Sequence, residues 1–222
     1  MRKKMHALCL IVVVVLLAVP AVAQAYDIAE YMLVMPGQYK IMQGEDYCTG
    51  STSPQEAMLI RGMGAYMLEI WFEKVGNTWV REDIDILEIT AQNVIYHGQY
   101  ETEPGEEGLW LLNPPITIPR NLELNQPVVN QGIITHGSTS IPYTHTFMII
   151  EAGVTVTTPA GTFVNCLKIA ESDMEEQSVE SEIMIWAPSV GEVKTWSSNV
   201  DNDTPDPVIE TDLSQALSHG WL

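Results

Sequence analysis

Positive charge is scarce in this 222-residue sequence: 10 lysines and arginines stand against 29 aspartates and glutamates, for a formal net charge of −19. Three of those bases, Arg2, Lys3 and Lys4, lie in the first four residues. A chain this acidic repels nucleic acid and anionic lipid headgroups, so both are excluded as partners. Cysteine is scarce too, with three residues, and Cys9 sits inside an apolar run. That leaves Cys48 and Cys166, too few for a disulfide scaffold or a cysteine metal cluster. Helical periodicity, internal repeats and low-complexity tracts are missing, which argues against bundles and solenoids.

Catalytic patterns are missing as well. There is no Gly-x-Ser-x-Gly elbow. His136-Gly137-Ser138-Thr139-Ser140 places a histidine near hydroxyls without the orienting carboxylate or oxyanion hole that a triad needs. His97, His136, His145 and His219 are scattered, and none belongs to a His-x-x-x-His zinc helix. The expectation is a protein that is not an enzyme and uses no cofactor.

One apolar run does occur, over about residues 7–19, behind the basic start Met1-Arg2-Lys3-Lys4. Pro20 ends it, and Ala23-Gln24-Ala25 is a small-x-small cleavage site. This order is that of a secretory signal peptide over residues 1–25. The run is shorter than the roughly 20 residues a membrane span requires. The expected mature product is one domain, 26–222, periplasmic or secreted, with no transmembrane anchor after cleavage. Its balance is seven bases against 29 acids. In an oxidising compartment Cys48 and Cys166 could form a bridge worth about 4–5 kcal/mol in the chain-entropy picture. Two separate buried thiols are the other reading.

The mature chain is dominated by strand signals. Tyr66–Lys74 is rich in aromatic and β-branched residues, Gly76-Asn77 is a turn, and Thr78–Thr90 reads as a second long strand. Ile84, Ile86 and Glu88 share one face there, and Asp83, Asp85 and Leu87 the other. Further strands are expected at Asn93–Tyr100, Val128–His136, Thr144–Glu151, Gly153–Thr158, Thr162–Ala170, Val179–Trp186 and Glu192–Ser197. Ile116-Thr117-Ile118, bracketed by prolines, reads as an edge or connector because proline cannot donate to a ladder. Two short helices are expected, one capped at Ser53-Pro54 and one over Asp212–His219. The fold class is therefore mainly all-β, an antiparallel curved sheet or half-barrel with one or two short helices.

The stretch Val156-Thr157-Thr158-Pro159-Ala160-Gly161-Thr162-Phe163-Val164-Asn165-Cys166-Leu167-Lys168-Ile169 resembles a hairpin shared by a large group of uncharacterised bacterial secreted proteins. That group continues with a tryptophan strand, matched here by Trp186-Ala187-Pro188-Ser189-Val190-Gly191-Glu192-Val193-Lys194. The similarity is strongest over about 114–197. It implies an antiparallel β fold related to the half-barrels of lipoprotein carriers, and it brings no catalytic residues. The motif residues Pro159, Gly161, Phe163, Trp186, Pro188 and Gly191 read as structural: proline and glycine specify turns. Alternation would place Phe163, Leu167 and Ile169 on one face and Val164, Cys166 and Lys168 on the other.

Remaining candidates are weaker. Asp201, Asp203 and Asp206 offer the oxygens that calcium prefers, but Asp206 and Asp212 stand where an EF-hand needs Gly and Glu. Met32, Met35, Met58, Met63 and Met67 suit core filling or a greasy lining better than copper binding. Trp71, Trp79, Trp110 and Trp186 could be a sugar platform or core, with core favoured for Trp71 and Trp186. Acidic pairs are too numerous to single out. The expected function is a non-enzymatic extracytoplasmic binding or carrier-like domain for an apolar small molecule or lipid. Its concave face would hold the ligand or be plugged by the segment around Leu213–Trp221. The alternative is a structural or protein-interaction module of the cell envelope or surface, with an envelope protein as partner.

Overall fold

The computed structural model describes residues 24–33, 35–46, 52–102, 105, 107–175, 178–201, 204–205 and 209–217. The signal-peptide expectation therefore falls almost wholly outside the described residues, as does Cys48. Fifteen strands are present among them. The first, β1 (Ala25–Asp27), leads into a 3-10 turn at Ile28–Tyr31. Then follow β2 (Tyr39–Asp46), β3 (Thr52–Met63), β4 (Tyr66–Val75), β5 (Thr78–Ile89) and β6 (Asn93–Glu101). The middle of the chain forms β7 (Gly108–Pro119), β8 (Asn121–Glu123), β9 (Val128–His136) and the 20-residue β10 (Thr139–Thr158). The last are β11 (Gly161–Glu175), β12 (Ser178–Ala187), β13 (Gly191–Asp201), β14 (Thr204–Pro205) and β15 (Ile209–Leu217).

Eleven of these strands run as consecutive antiparallel neighbours from β2 round to β13, with β8 left out. The sheet curls until its two ends nearly meet, leaving one seam. Strand β15 lies in that seam. It pairs with β2 along most of its length, Ile209 opposite Asp46 to Leu217 opposite Tyr39, and with β13 over Lys194–Ser197 only. The all-β expectation holds, and the sheet goes further round than a half-barrel.

The two expected helices are absent. Asp212–Leu217 belongs to β15, because the open edges of β2 and β13 offer backbone partners that outweigh the weak helix preference of Asp and Ser. His219 lies outside the described residues. Ser53-Pro54 lies inside β3, at a register shift between Gln43 and Glu45 where the ladder does not require proline to donate. Ile116–Ile118 is part of β7, paired with β6 on one side, while β9 pairs only with Leu111–Asn113. The proline-bracketed stretch is thus edge-like on one side, as its missing donors require.

Residues 25–33 cover one end of the barrel. Strand β1 pairs with β8, and the Ile28 amide donates to the Arg120 carbonyl at 2.8 Å. Arg120 clamps Asp27 with two hydrogen bonds, Nε to Oδ1 at 2.9 Å and Nη2 to Oδ2, and this pairing holds the Asp27 carboxyl below the usual range. Ile28, Met32, Leu33 and Leu122 are buried and join the main core with Met58, Ile60, Ile118, Phe147, Ile149, Leu167, Ile169 and Met184. Barrels of this size need such filling at an end if apolar side chains are to leave water. Replacing Arg120 with alanine should loosen this cover without unfolding the wall. Hydrogen exchange should speed up at the amides of residues 25–31, while β10 and β11 keep their protection.

The long hairpin of β10 and β11 carries the motif that the sequence singled out. Its turn is at Pro159-Ala160, followed by Gly161 at φ +141°, and the next turn, Pro188–Val190, is followed by Gly191 at φ +79°. The face assignment fails within β11. Phe163 packs with Cys166 in a second cluster on Ile185, Ala187 and Val193, whereas Leu167 and Ile169 lie in the main core. The cause is a bulge. Val154 pairs with Cys166 and Val156 with Phe163, so three steps on β11 oppose two on β10, and Asn165 takes a left-handed φ of +57°. One extra residue moves every following side chain to the other face.

Candidate functional site

The barrel encloses a half-open cavity of about 670 Å³. Its chemistry is graded along the strands. Reading inward-facing positions away from the covered end, β5 presents Leu87, Asp85 and Asp83, and β11 presents Ile169, Glu171, Asp173 and Glu175. Strand β12 gives Trp186, Met184, Glu182 and Glu180, and β10 gives Ile149, Phe147, His145 and Tyr143. The deep end is therefore apolar; towards the turns at 76–77 and 137–138 the lining is acidic on β4, β5, β11 and β12, while β7, β9 and β10 keep Leu112, Ile134, Ile141 and Tyr143.

Nine carboxylates line this cavity, and Lys40 and His145 are the basic side chains among the described lining residues. Lys40 is 3% exposed; its Nζ lies 3.5 Å from Glu192 and 5.4 Å from the centroid of Trp71. His145 is 2% exposed and its Nε2 meets Glu171 at 2.6 Å. Several acids stand directly opposite one another across the ladder: Glu69 and Asp85, Glu171 and Glu182, Asp173 and Glu180. Like charges in facing positions destabilise a sheet. Here they are also desolvated.

The carboxyls respond accordingly. Burial, with Asp85 adding to it, pushes Glu69 up to about 8. Burial and then Glu192 push Glu182 up to about 8. Burial raises Asp83 to about 7 and Asp173 to about 6. Asp85 rises to about 6 because burial outweighs the hydrogen bonds it accepts from Trp71 Nε1 at 2.8 Å and the Tyr96 hydroxyl at 3.0 Å. Among the described residues, His145 Nδ1 and Trp186 Nε1 of the lining, and Asp83 Oδ1 next to it on β5, are buried with no hydrogen-bond partner. His145, Glu171 and Asp173 each bring a potential ligand atom within 4.8 Å of the others.

Of the residues that the sequence marked, Trp71, Trp110, Trp186, Met32 and Met58 line the cavity. Trp79 does not line it and stacks under Lys74 at 5.6 Å. Met35 and Met63 are exposed. Cys166 is a free thiol, fully buried, and burial raises its pKa. Asp203 and Asp206 lie outside the described residues; of Asp201 the backbone is described, pairing with Ser178 and Thr204. Leu213–Leu217 forms part of the wall and not a plug; the cover is residues 25–33. The histidine at the site, His145, looked unremarkable in sequence. The readable signal was period-2 acidity, Glu171-x-Asp173-x-Glu175 and Glu180-x-Glu182, running directly on from apolar inward positions.

The fold is shared with a bacterial protein of solved structure. A candidate lipoprotein from Parabacteroides distasonis matches with a TM-score of 0.53 at 14% identity, over 84% of this chain and 98% of that one. A candidate exported protein from Bacteroides fragilis with a YmcC-like fold gives a TM-score of 0.49 at 11% identity, over 83% and 97%. No family model matches the chain, and no curated protein does. Among the described residues no helix is long and apolar enough to cross a membrane.

Proposed function

We propose that this protein is a non-enzymatic, extracytoplasmic carrier-like barrel that holds the apolar part of a small molecule or lipid inside its wall. The observation that carries this reading is the cavity. Its volume of about 670 Å³ falls in the range of roughly 300–1,000 Å³ typical of small-molecule sites. Its deep end is lined by Met32, Leu33, Met58, Leu87, Ile118 and Phe147, which gives an apolar chain somewhere to leave water. The leader-like start of the sequence and the lipoprotein description of the Parabacteroides distasonis structure support a place outside the cytoplasm. A second reading, an envelope interaction module, is favoured by exposed Leu109 and Leu111 on β7 and Val129 and Ile133 on β9.

Three tryptophans at the cavity make the test direct. Titrating the purified chain with 1-dodecanol should shift tryptophan emission to the blue and saturate near one equivalent. Native mass spectrometry of gently purified protein should show an added mass that organic extraction removes. An unchanged emission together with a clean apo mass would remove the carrier reading and leave the interaction module.

A further inference from the structure

We infer that the occupant of the cavity carries an organic ammonium group, seated among the carboxylates of the open half while its apolar part fills the deep end. This rests on the interior-binding reading above and assigns the ligand's head chemistry.

The first support is the arrangement of charge. Acidic residues on a protein surface are ordinary, but these point into a barrel and face one another in pairs. Glu69 opposes Asp85 on β4 and β5, and Glu171 opposes Glu182 on β11 and β12. A barrel that served only to enclose an apolar chain would gain stability from apolar residues at those positions. Once ionised, the nine lining carboxyls outnumber Lys40 and His145 and make the enclosed space selective for positive charge.

The second support is independent of the acids' number. His145, 2% exposed and lining the cavity, has its Nδ1 without a partner. A wholly apolar occupant would leave this nitrogen unsatisfied, at about 1–3 kcal/mol. A polar group of the occupant in this half of the cavity removes that cost, directly or through a water it holds.

The third support is the company the carboxylates keep. Trp71 and Trp110 line the cavity beside these carboxylates, and Lys40 already lies over the Trp71 ring. Aromatic faces beside carboxylates are the surroundings in which alkylammonium groups bind, through ion pairing and cation–π attraction together. The grading from Ile169 through Glu171 to Asp173 on one strand face fixes the orientation: tail towards residues 25–33, ammonium towards the open half.

The test uses the full chain, treated with EDTA, at pH 8.5, where Glu69 and Glu182 ionise, with three probes that share one tail: dodecylammonium, 1-dodecanol and dodecanoate, each below its micellar concentration. Dodecylammonium should bind with one-to-one stoichiometry, about tenfold more tightly than the alcohol and about a hundredfold more tightly than the carboxylate. In the triple variant E69Q/D85N/E182Q the preference over the alcohol should disappear while alcohol binding persists. A control carrying E123Q and E151Q, two exposed acids, should keep the preference, which separates the interior from the general acidity of the chain. Equal binding of amine and alcohol, or a preference lost in the surface control, would overturn the inference and leave the carrier reading standing. Binding of none of the three would overturn both.

Discussion

Raising the pH from 5 to 8.5 should destabilise the ligand-free barrel by on the order of 5 kcal/mol, lowering Tm by ten degrees or more. Most proteins sit near their stability maximum over this interval, because their paired carboxylates ionise below it. Here stability falls instead. Glu69 and Glu182 are raised to about 8, Asp83 to about 7, and Asp85 and Asp173 to about 6, all mainly by burial. Glu56, Glu175 and Glu180 are raised in the same direction. In the unfolded chain these groups lose their protons near pH 4. Between about pH 4 and 8 the folded state therefore binds more protons than the unfolded state, and stability falls as pH rises.

The neighbours do not cancel this. Lys40 lowers Glu69 and Glu56 but is outweighed in both by burial, and His145 is likewise outweighed at Asp173. Asp27 acts in the opposite sense, since its pKa is lowered and its contribution is lost as pH falls through that lowered value. The stability maximum should consequently lie near pH 4–5. Thermal melts in low salt at pH 5, 6.5 and 8.5 check the trend, and a flat or rising Tm would contradict it. Saturating dodecylammonium should flatten the decline, because the bound cation supplies the charge that the protons otherwise provide.

The substitution with the largest expected cost is Phe147→Ala, at about 3–5 kcal/mol. Phe147 is 1% exposed and meets Trp186 edge to face, with ring centroids 5.9 Å apart. It stands opposite Glu171 on one neighbouring strand and Val128 on the other. It thus forms the boundary between the apolar end and the acidic half. Alanine would leave a void and bring water towards Ile149 and Ile169. Phe147→Leu, nearer in volume, should recover most of the loss. Urea denaturation at pH 5, where the acids are protonated, isolates this packing effect from charge. A loss below about 1 kcal/mol would mean that the ring is not packed as described.

The wall of this barrel was legible in sequence because strands announce themselves by alternation and turns by glycine and proline. Tyr66–Lys74, Gly76-Asn77 and Thr78–Thr90 read correctly for that reason. The helix expected at Asp212–His219 failed because its seam position depends on β2, some 170 residues earlier, and no local signal reports a distant open edge. The site was harder to read. On β5 the two faces were separated correctly, yet Asp83 and Asp85 turned out to face inward. Burial is ordinarily inferred from apolarity, so an inward acidic face is read as an outward one. The bulge at Asn165 hid in the same way: alternation assumes one residue per step, and a left-handed asparagine breaks that count without changing the composition.

The seam has a consequence for how this chain acquires its shape. Strand β2 near the beginning and β13 near the end are joined through β15, so the ring cannot be completed until residue 217 is free to pair. A growing or translocating chain would hold an open sheet with two unsatisfied edges until then. Ring closure therefore waits for the last strand, β15.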